Sequence, residues 1–129
     1  MPHACIGVDI IVGFPQETDD DFLDTYNFVN ALDISYLHVF TYSERDNTQA
    51  LSLKPVVPVQ VRHERNKLLR NLSWMKMQHF NKRHEGQIRN VLFEGHVKSG
   101  VMEGYTDNYI RITTPHRREW ENQLVPWQL

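Results

Sequence analysis

Cysteine is almost missing from this chain of 129 residues: Cys5 is the single thiol. One thiol excludes an internal disulfide, and it excludes any metal cluster that needs several thiolates of this chain. Long apolar runs are missing too. None approaches the roughly 20 residues of a membrane helix, and the amino terminus lacks a basic segment followed by an apolar one. The cytoplasm is therefore the expected compartment, and no membrane partner is expected. The seven histidines form no i, i+4 pair, and neither His79 with His84 nor His3 with Cys5 makes a recognisable metal site. Positive charge is scarce in the first 53 residues, which carry one basic and nine acidic side chains, whereas residues 54–90 carry nine basic and two acidic ones.

What is present begins with "IGVDIIVGFPQETDDDF", Ile6 to Phe22. A run of β-branched residues bounded by Gly and Pro reads as a buried parallel strand over Ile6–Phe14, covered on both faces. Thr18 suits a helix N-cap, and Asp19, Asp20 and Asp21 then sit where carboxylates meet the positive end of the helix dipole. Phe22, Tyr26, Val29 and Leu32 fall at helical spacing, and "YLHVFTYS" follows as a second strand. Strand, helix and strand make a βαβ unit with parallel strands. Two strands cannot bury themselves, so the chain is expected to be the end of a larger α/β protein.

Residues 44–57 are rich in turn formers, and Pro58 suits the first turn of a long helix ending near Gly86. Val61, Leu68, Leu72 and Met75 are expected to form its buried stripe. Arg62, Arg65, Lys67, Arg70, Lys76, Lys82 and Arg83 are left for its other sides, as a solvated face or a phosphate-facing one. From Gln87 the pattern changes to short alternating segments broken by Gly, which predicts a small all-β module over 87–129 and a boundary near residue 86. Within "NYIRIT", alternation puts Ile110 and Ile112 on one face and Tyr109 and Arg111 on the other. These are either half-exposed strand residues or a surface for ring stacking and phosphate contact.

The turn "GFPQETDDD" joins a strand to a helix, where α/β proteins bind ligands. Phosphate is disfavoured there, because three carboxylates crowd the helix end and no Gly-rich cradle or Lys accompanies them. Two readings stay open on the residues alone: Gly13 and Pro15 merely make the turn, or a neutral ring packs on Ile11, Gly13 and Phe14.

"GVDIIVGFPQETDDDF" resembles the "DxIVGFPGETxxDF" stretch of radical S-adenosylmethionine (SAM) methylthiotransferases, and "HVFTYSERDNTQA" resembles their "FxYSxRxGTxA" stretch. "VLFEGHVKSGVMEGYTDNYIRITTP" resembles the RNA-binding TRAM domain that closes these enzymes. The resemblance implies the end of a partial TIM-type barrel over residues 1–86, with SAM-adenine contacts at Ile11, Gly13, Phe14, Tyr42 and Ser43, and a TRAM-like β domain over 87–129. It implies RNA contacts at Arg83, Arg89, Lys98, Tyr105, Tyr109 and Arg111, and an anticodon stem-loop of tRNA as the partner. Gln16 stands where the family usually has Gly, and Asp46-Asn47 where Pro-Gly is common; both changes are expected to be mild.

"YSERxNTxA" with "EGYTDNYIRI" most resembles the branch that adds a methylthio group at C2 of threonylcarbamoyladenosine beside the anticodon. The reaction, by resemblance, uses SAM and 4Fe-4S clusters. The CxxxCxxC cluster motif and an amino-terminal domain with a second cluster are expected upstream, and Cys5 belongs to neither. No catalytic residue is expected within this stretch, which on this reading supplies adenine contacts and RNA grip and is inactive alone. The alternatives are an RNA-binding module without catalysis, and part of an enzyme acting on isopentenyladenosine tRNA or on a ribosomal protein.

Overall fold

The computed structural model describes residues 1, 3–98 and 100–129, without the side chains of residues 96–98. The chain is a mixed α/β protein of two compact units, Ile6–His79, and Met1–Cys5 with Phe80–Leu129.

In the first unit β1 (Gly7–Val12) and β2 (Tyr36–Thr41) pair in parallel, with Gly7 opposite Tyr36 and Val12 opposite Thr41. Helix α1 (Asp19–Ala31) joins them. The Thr18 hydroxyl accepts from the Asp21 amide at 3.1 Å, and the Asp21 carboxylate accepts from the Thr18 amide at 2.9 Å. This reciprocal box satisfies two amides that a helix end leaves without partners, and the hydrogen bonds from Thr18 hold the Asp21 carboxyl below its usual range. Val12, Val29, Leu37, Leu69 and Leu72 form the core, with Val8, Ile10, Phe22, Tyr26, Ile34 and Val39 packed around it.

Helix α2 (Val59–Lys82) begins after Pro58, whose carbonyl accepts from the Arg62 amide. It lies along the edge of β2 that faces away from β1. Ser73 Oγ accepts from the Leu37 amide at 2.8 Å and donates to the Leu37 carbonyl at 3.0 Å, and Asn66 Nδ2 donates to the Val39 carbonyl at 3.2 Å. These side chains replace the ladder bonds that a further strand would make.

Two expectations are corrected here. The β1 face carrying Gly7, Asp9 and Ile11 is open rather than covered, with Ile11 60% exposed, because no described element of this unit packs on it. The buried stripe of α2 is also different: Leu68 and Met75 are each 50% exposed, while Arg62, Arg65, Leu69 and Leu72 are buried. Arg62 and Arg65 thus leave the solvated face. Lys76 leaves it as well, since its ammonium donates to the Asn30 and Leu32 carbonyls at the end of α1, where a cation complements the helix dipole. Desolvation lowers its pKa.

The second unit is a four-stranded antiparallel sheet in the order β5-β4-β3-β6, from β3 (Ile88–Lys98), β4 (Val101–Thr106), β5 (Arg111–Pro115) and β6 (Leu124–Gln128). Val91, Phe93 and Met102 are its core, with Ile112, Trp120, Val125 and Trp127 packed against them. Gly104 is required by packing, because a Cβ there would lie 2.7 Å from the Leu92 carbonyl oxygen and 2.8 Å from the Phe93 ring. Pro126, opposite Asn90 on the edge strand β6, removes no ladder bond that a neighbour needs.

Candidate functional site

The two parallel strands end together, and Gly13 turns the chain sharply at φ +77° just past β1. A cavity of about 530 Å³ opens beyond their carboxyl ends. Ile11, Phe14, Phe40 and Tyr42 form its apolar walls, while Ser43, Arg45 and Thr48 supply polar groups. Phe14 and Tyr42 meet edge to face with centroids 5.3 Å apart, which fixes both rings. Of the residues that sequence places at a cofactor, Ile11, Phe14, Tyr42 and Ser43 line this cavity; Gly13 shapes the turn behind it.

Sequence reasoning missed the support beneath the cavity. Arg62 is 4% exposed, and its guanidinium donates to the carbonyls of Val57 at 2.8 Å and Tyr42 at 3.0 Å and to the Glu44 carboxylate at 2.6 and 3.2 Å. Hydrogen bonding from Arg62 holds the Glu44 carboxyl below its usual range. A depressed carboxyl pKa contributes stability above the ordinary carboxylate range, and that contribution fades as pH falls through the folded-state value. Arg65, 5% exposed, pairs with Glu17 and with Asp19 at 2.6 Å. Burial opposes its charge, but the hydrogen bonds to Asp19 and Glu17 outweigh burial and raise its pKa. Glu17 in turn accepts from the Gly13 amide at 3.0 Å. The only available signal for these pairs was the acids Glu17 and Glu44 standing in the two turns that α2 faces.

Gln16 also departs from expectation. It adopts φ +75°, a region that glycine enters freely and other residues enter at a cost, so its place in a Gly position is a strained one. Its side chain compensates by donating to the Lys54 carbonyl at 2.8 Å, and its amide donates to the Pro55 carbonyl at 2.8 Å. Gln16→Gly is expected to be more stable than Gln16→Ala by about 1 kcal/mol, since only Ala keeps the strain without the compensating bond. Denaturant titration of the two variants checks this; equal midpoints would place no strain at residue 16.

The residues expected to hold RNA are spread over the second unit. Tyr105 lies opposite Arg111 across β4 and β5, and the rings of Tyr105 and Tyr109 are 6.4 Å apart, so these three come together. Tyr109 is not on the strand as alternation suggested: it occupies the turn before β5 at φ +63° and is 72% exposed. The turn holds it there through the Tyr109 amide to the Thr106 carbonyl at 3.0 Å and the Ile110 amide to Thr106 Oγ1 at 2.9 Å. Arg111 pairs with Glu103, and Arg89 pairs with Asp107 at 2.7 Å, so both cations already have carboxylate partners. Arg83 is exposed just after α2. The side chain of Lys98 lies outside the described residues.

Among the described residues, no group of three or more His, Cys, Asp or Glu could hold a metal ion, and no helix is long and apolar enough to cross a membrane. One thiolate cannot supply the three or four that an iron-sulfur cluster takes, so the residues of this chain do not fit that cofactor. The cavity does fit a neutral aromatic ring, through its apolar walls.

No family model matches the chain. It is 39% identical over 112 residues, 86% of its length, to threonylcarbamoyladenosine tRNA methylthiotransferase MtaB of Aquifex aeolicus, of which that match covers 26%. It is 34% identical to the protein of the same name in Bacillus subtilis, over 97% of this chain and 29% of that one. It is 36% identical to tRNA-2-methylthio-N(6)-dimethylallyladenosine synthase of Bacillus licheniformis, over 97% of this chain and 25% of the other. The chain spans about a quarter of the length of these curated relatives. Over that quarter, the chain matches a carboxyl-terminal part of proteins of the tRNA methylthiotransferase family.

Proposed function

We propose that this chain serves a SAM-dependent tRNA methylthiotransferase in two ways: residues 1–86 supply a wall of the SAM site, and residues 87–129 act as a TRAM-like RNA-binding domain. The observation that carries the reading is the cavity at the carboxyl ends of the parallel strands, where ligands of α/β folds gather. Ile11, Phe14 and Tyr42 would hold the adenine by apolar contact and ring packing, with Ser43 available for a hydrogen bond. SAM supplies the methyl group and the radical chemistry; the part of this chain is to bind, orient and shield from water. The cluster ligands belong elsewhere in the enzyme. The soluble cytoplasm, where tRNA is found, is the setting this function requires.

The substrate on this reading is threonylcarbamoyladenosine beside the anticodon, supported by the likeness of "YSERxNTxA" and "EGYTDNYIRI" to that branch and by two relatives so named. A dimethylallyladenosine substrate is the second reading, favoured by the 36% identity to a synthase of that name.

Tyr109, held outward by a left-handed turn beside Tyr105, suits stacking of an unpaired base. Phosphate contacts give RNA binding a steep salt dependence, whereas stacking does not. Tyr109→Ala is expected to weaken binding of an anticodon stem-loop by about 1–3 kcal/mol with an unchanged salt slope. Arg111→Ala is expected to lower the slope by about one. Titrations at several salt concentrations decide it. Binding absent even at low salt, or untouched by both substitutions, defeats the RNA reading.

A further inference from the structure

Two loops form the lips of the strand-end cavity, and one side chain touches both. The first lip runs from Gly13 to Glu17 after β1, and the second from Tyr42 to Glu44 after β2. Gly13 sits so close to the stem of Arg62 that a Cβ there would overlap Arg62 Cγ. The same side chain sends its guanidinium to the second lip, bonding the Tyr42 carbonyl and both oxygens of Glu44, and stands 5.3 Å from the Tyr42 ring centroid. Its third tie, to the Val57 carbonyl, fastens it to the segment that leads into α2. Arg62 therefore spans from one lip to the other beneath the walls made by Phe14 and Tyr42.

A planar guanidinium with several fixed donors suits this task, because it holds a carboxylate in a forked geometry and carbonyls at set angles. Arg62 is also costly to bury, which calls for a reason beyond packing. The neighbouring hydrophobic stripe of Leu69 and Leu72 shows that α2 can be seated without charge.

We propose that Arg62 is a positioning residue, which holds the two lips of the cavity in the spacing that an adenine ring needs. The proposal rests on the reading of the cavity as an adenine site, and its test separates the two. Removing the guanidinium leaves no buried orphan charge, since Glu44 is half exposed, so Arg62→Met is expected to fold. Arg62→Lys keeps the charge and can reach some of the acceptors, but not as a fork.

Hydrogen exchange on the 129-residue chain reads the positioning without any ligand. In Arg62→Met, the amides of Gly13, Phe14, Gln16 and Glu17 and of residues 42–44 are expected to exchange at least tenfold faster, while those of β3 and β4 and of Leu69–Leu72 stay unchanged, and Arg62→Lys is expected to fall between Met and wild type. Faster exchange throughout Ile6–His79, or no change at the lips, overturns the proposal. Adenosine is then titrated by NMR. Perturbation of Ile11, Phe14 and Tyr42 in the wild type, with at least tenfold weaker binding in Arg62→Met and a partial return in Arg62→Lys, supports it. Equal affinity of wild type and Arg62→Met overturns it. If the wild type shows no binding, the adenine reading fails, and the exchange result alone decides whether Arg62 sets the lips.

Discussion

Phe93→Ala is expected to abolish the folded state of the β unit. Phe93 is fully buried, stacked on Trp120 at 5.4 Å and edge-on to Trp127 at 5.6 Å, and the two indoles meet each other at 5.8 Å. Removing a buried phenyl ring costs about 3–5 kcal/mol, through lost transfer energy and the cavity left behind. A unit of this size has little stability beyond that amount to lose. The loss should appear as disappearance of the near-ultraviolet circular dichroism of the packed indoles, together with loss of protection at Val91 and Met102. A cooperative unfolding transition within about 1 kcal/mol of wild type would mean that the aromatic triad is not what closes this sheet.

Gly13→Ala is the second large effect. Residue 13 has φ +77°, where an L side chain costs about 1–2 kcal/mol. The new methyl group would also overlap the Arg62 stem, which is buried and fixed by four hydrogen bonds, so it cannot swing aside. Overpacking of this kind adds about 1–3 kcal/mol. A total of about 2–5 kcal/mol is expected in urea unfolding. Gly86→Ala is the internal comparison, because residue 86 has φ +79° but nothing within 4 Å of an added Cβ. The excess of Gly13→Ala over Gly86→Ala measures the collision with Arg62, and equal effects would mean that the arginine yields.

The frame of the molecule was legible because its signals are local and periodic. The apolar run ending at Gly13 reads as β1, Thr18 with three aspartates reads as the start of α1, and Pro58 marks where α2 begins. The break near Gln87 reads as a change to short strands. The inner face of α2 was illegible for a physical reason. Helical periodicity sorts residues by polarity, so it assigned Leu68 and Met75 inward and Arg62 and Arg65 outward. The actual face is set by acids from two turns, Glu17 and Glu44, which make burial of an arginine tolerable only once the chain has folded. Tyr109 was misplaced similarly: alternation extends a strand through any polar–apolar series, and it does not register that Thr106 closes a turn by bonding Ile110.

Among candidate residues, the cavity lining was easier to find than its support. Ile11 and Phe14 sit at the end of β1, a position readable from chain order, whereas Tyr42 and Ser43 were indicated only by the family resemblance. Arg62, which bonds the Tyr42 carbonyl, stands 20 residues beyond Tyr42 and 48 beyond Phe14, and no local pattern connects them.

The side chains of Ser73 and Asn66 give the small parallel sheet a direction of growth. An exposed strand edge is a template on which any extended chain can pair, and here one of the two edges is already filled by hydroxyl and amide groups of α2. Addition beside β2 would have to evict a helix. Addition beside β1 needs only a strand in the correct orientation, so assembly of this sheet is one-sided, and whatever extends it meets Gly7–Val12 first. Within this two-stranded sheet, the same asymmetry confines unwanted pairing between copies to the β1 margin.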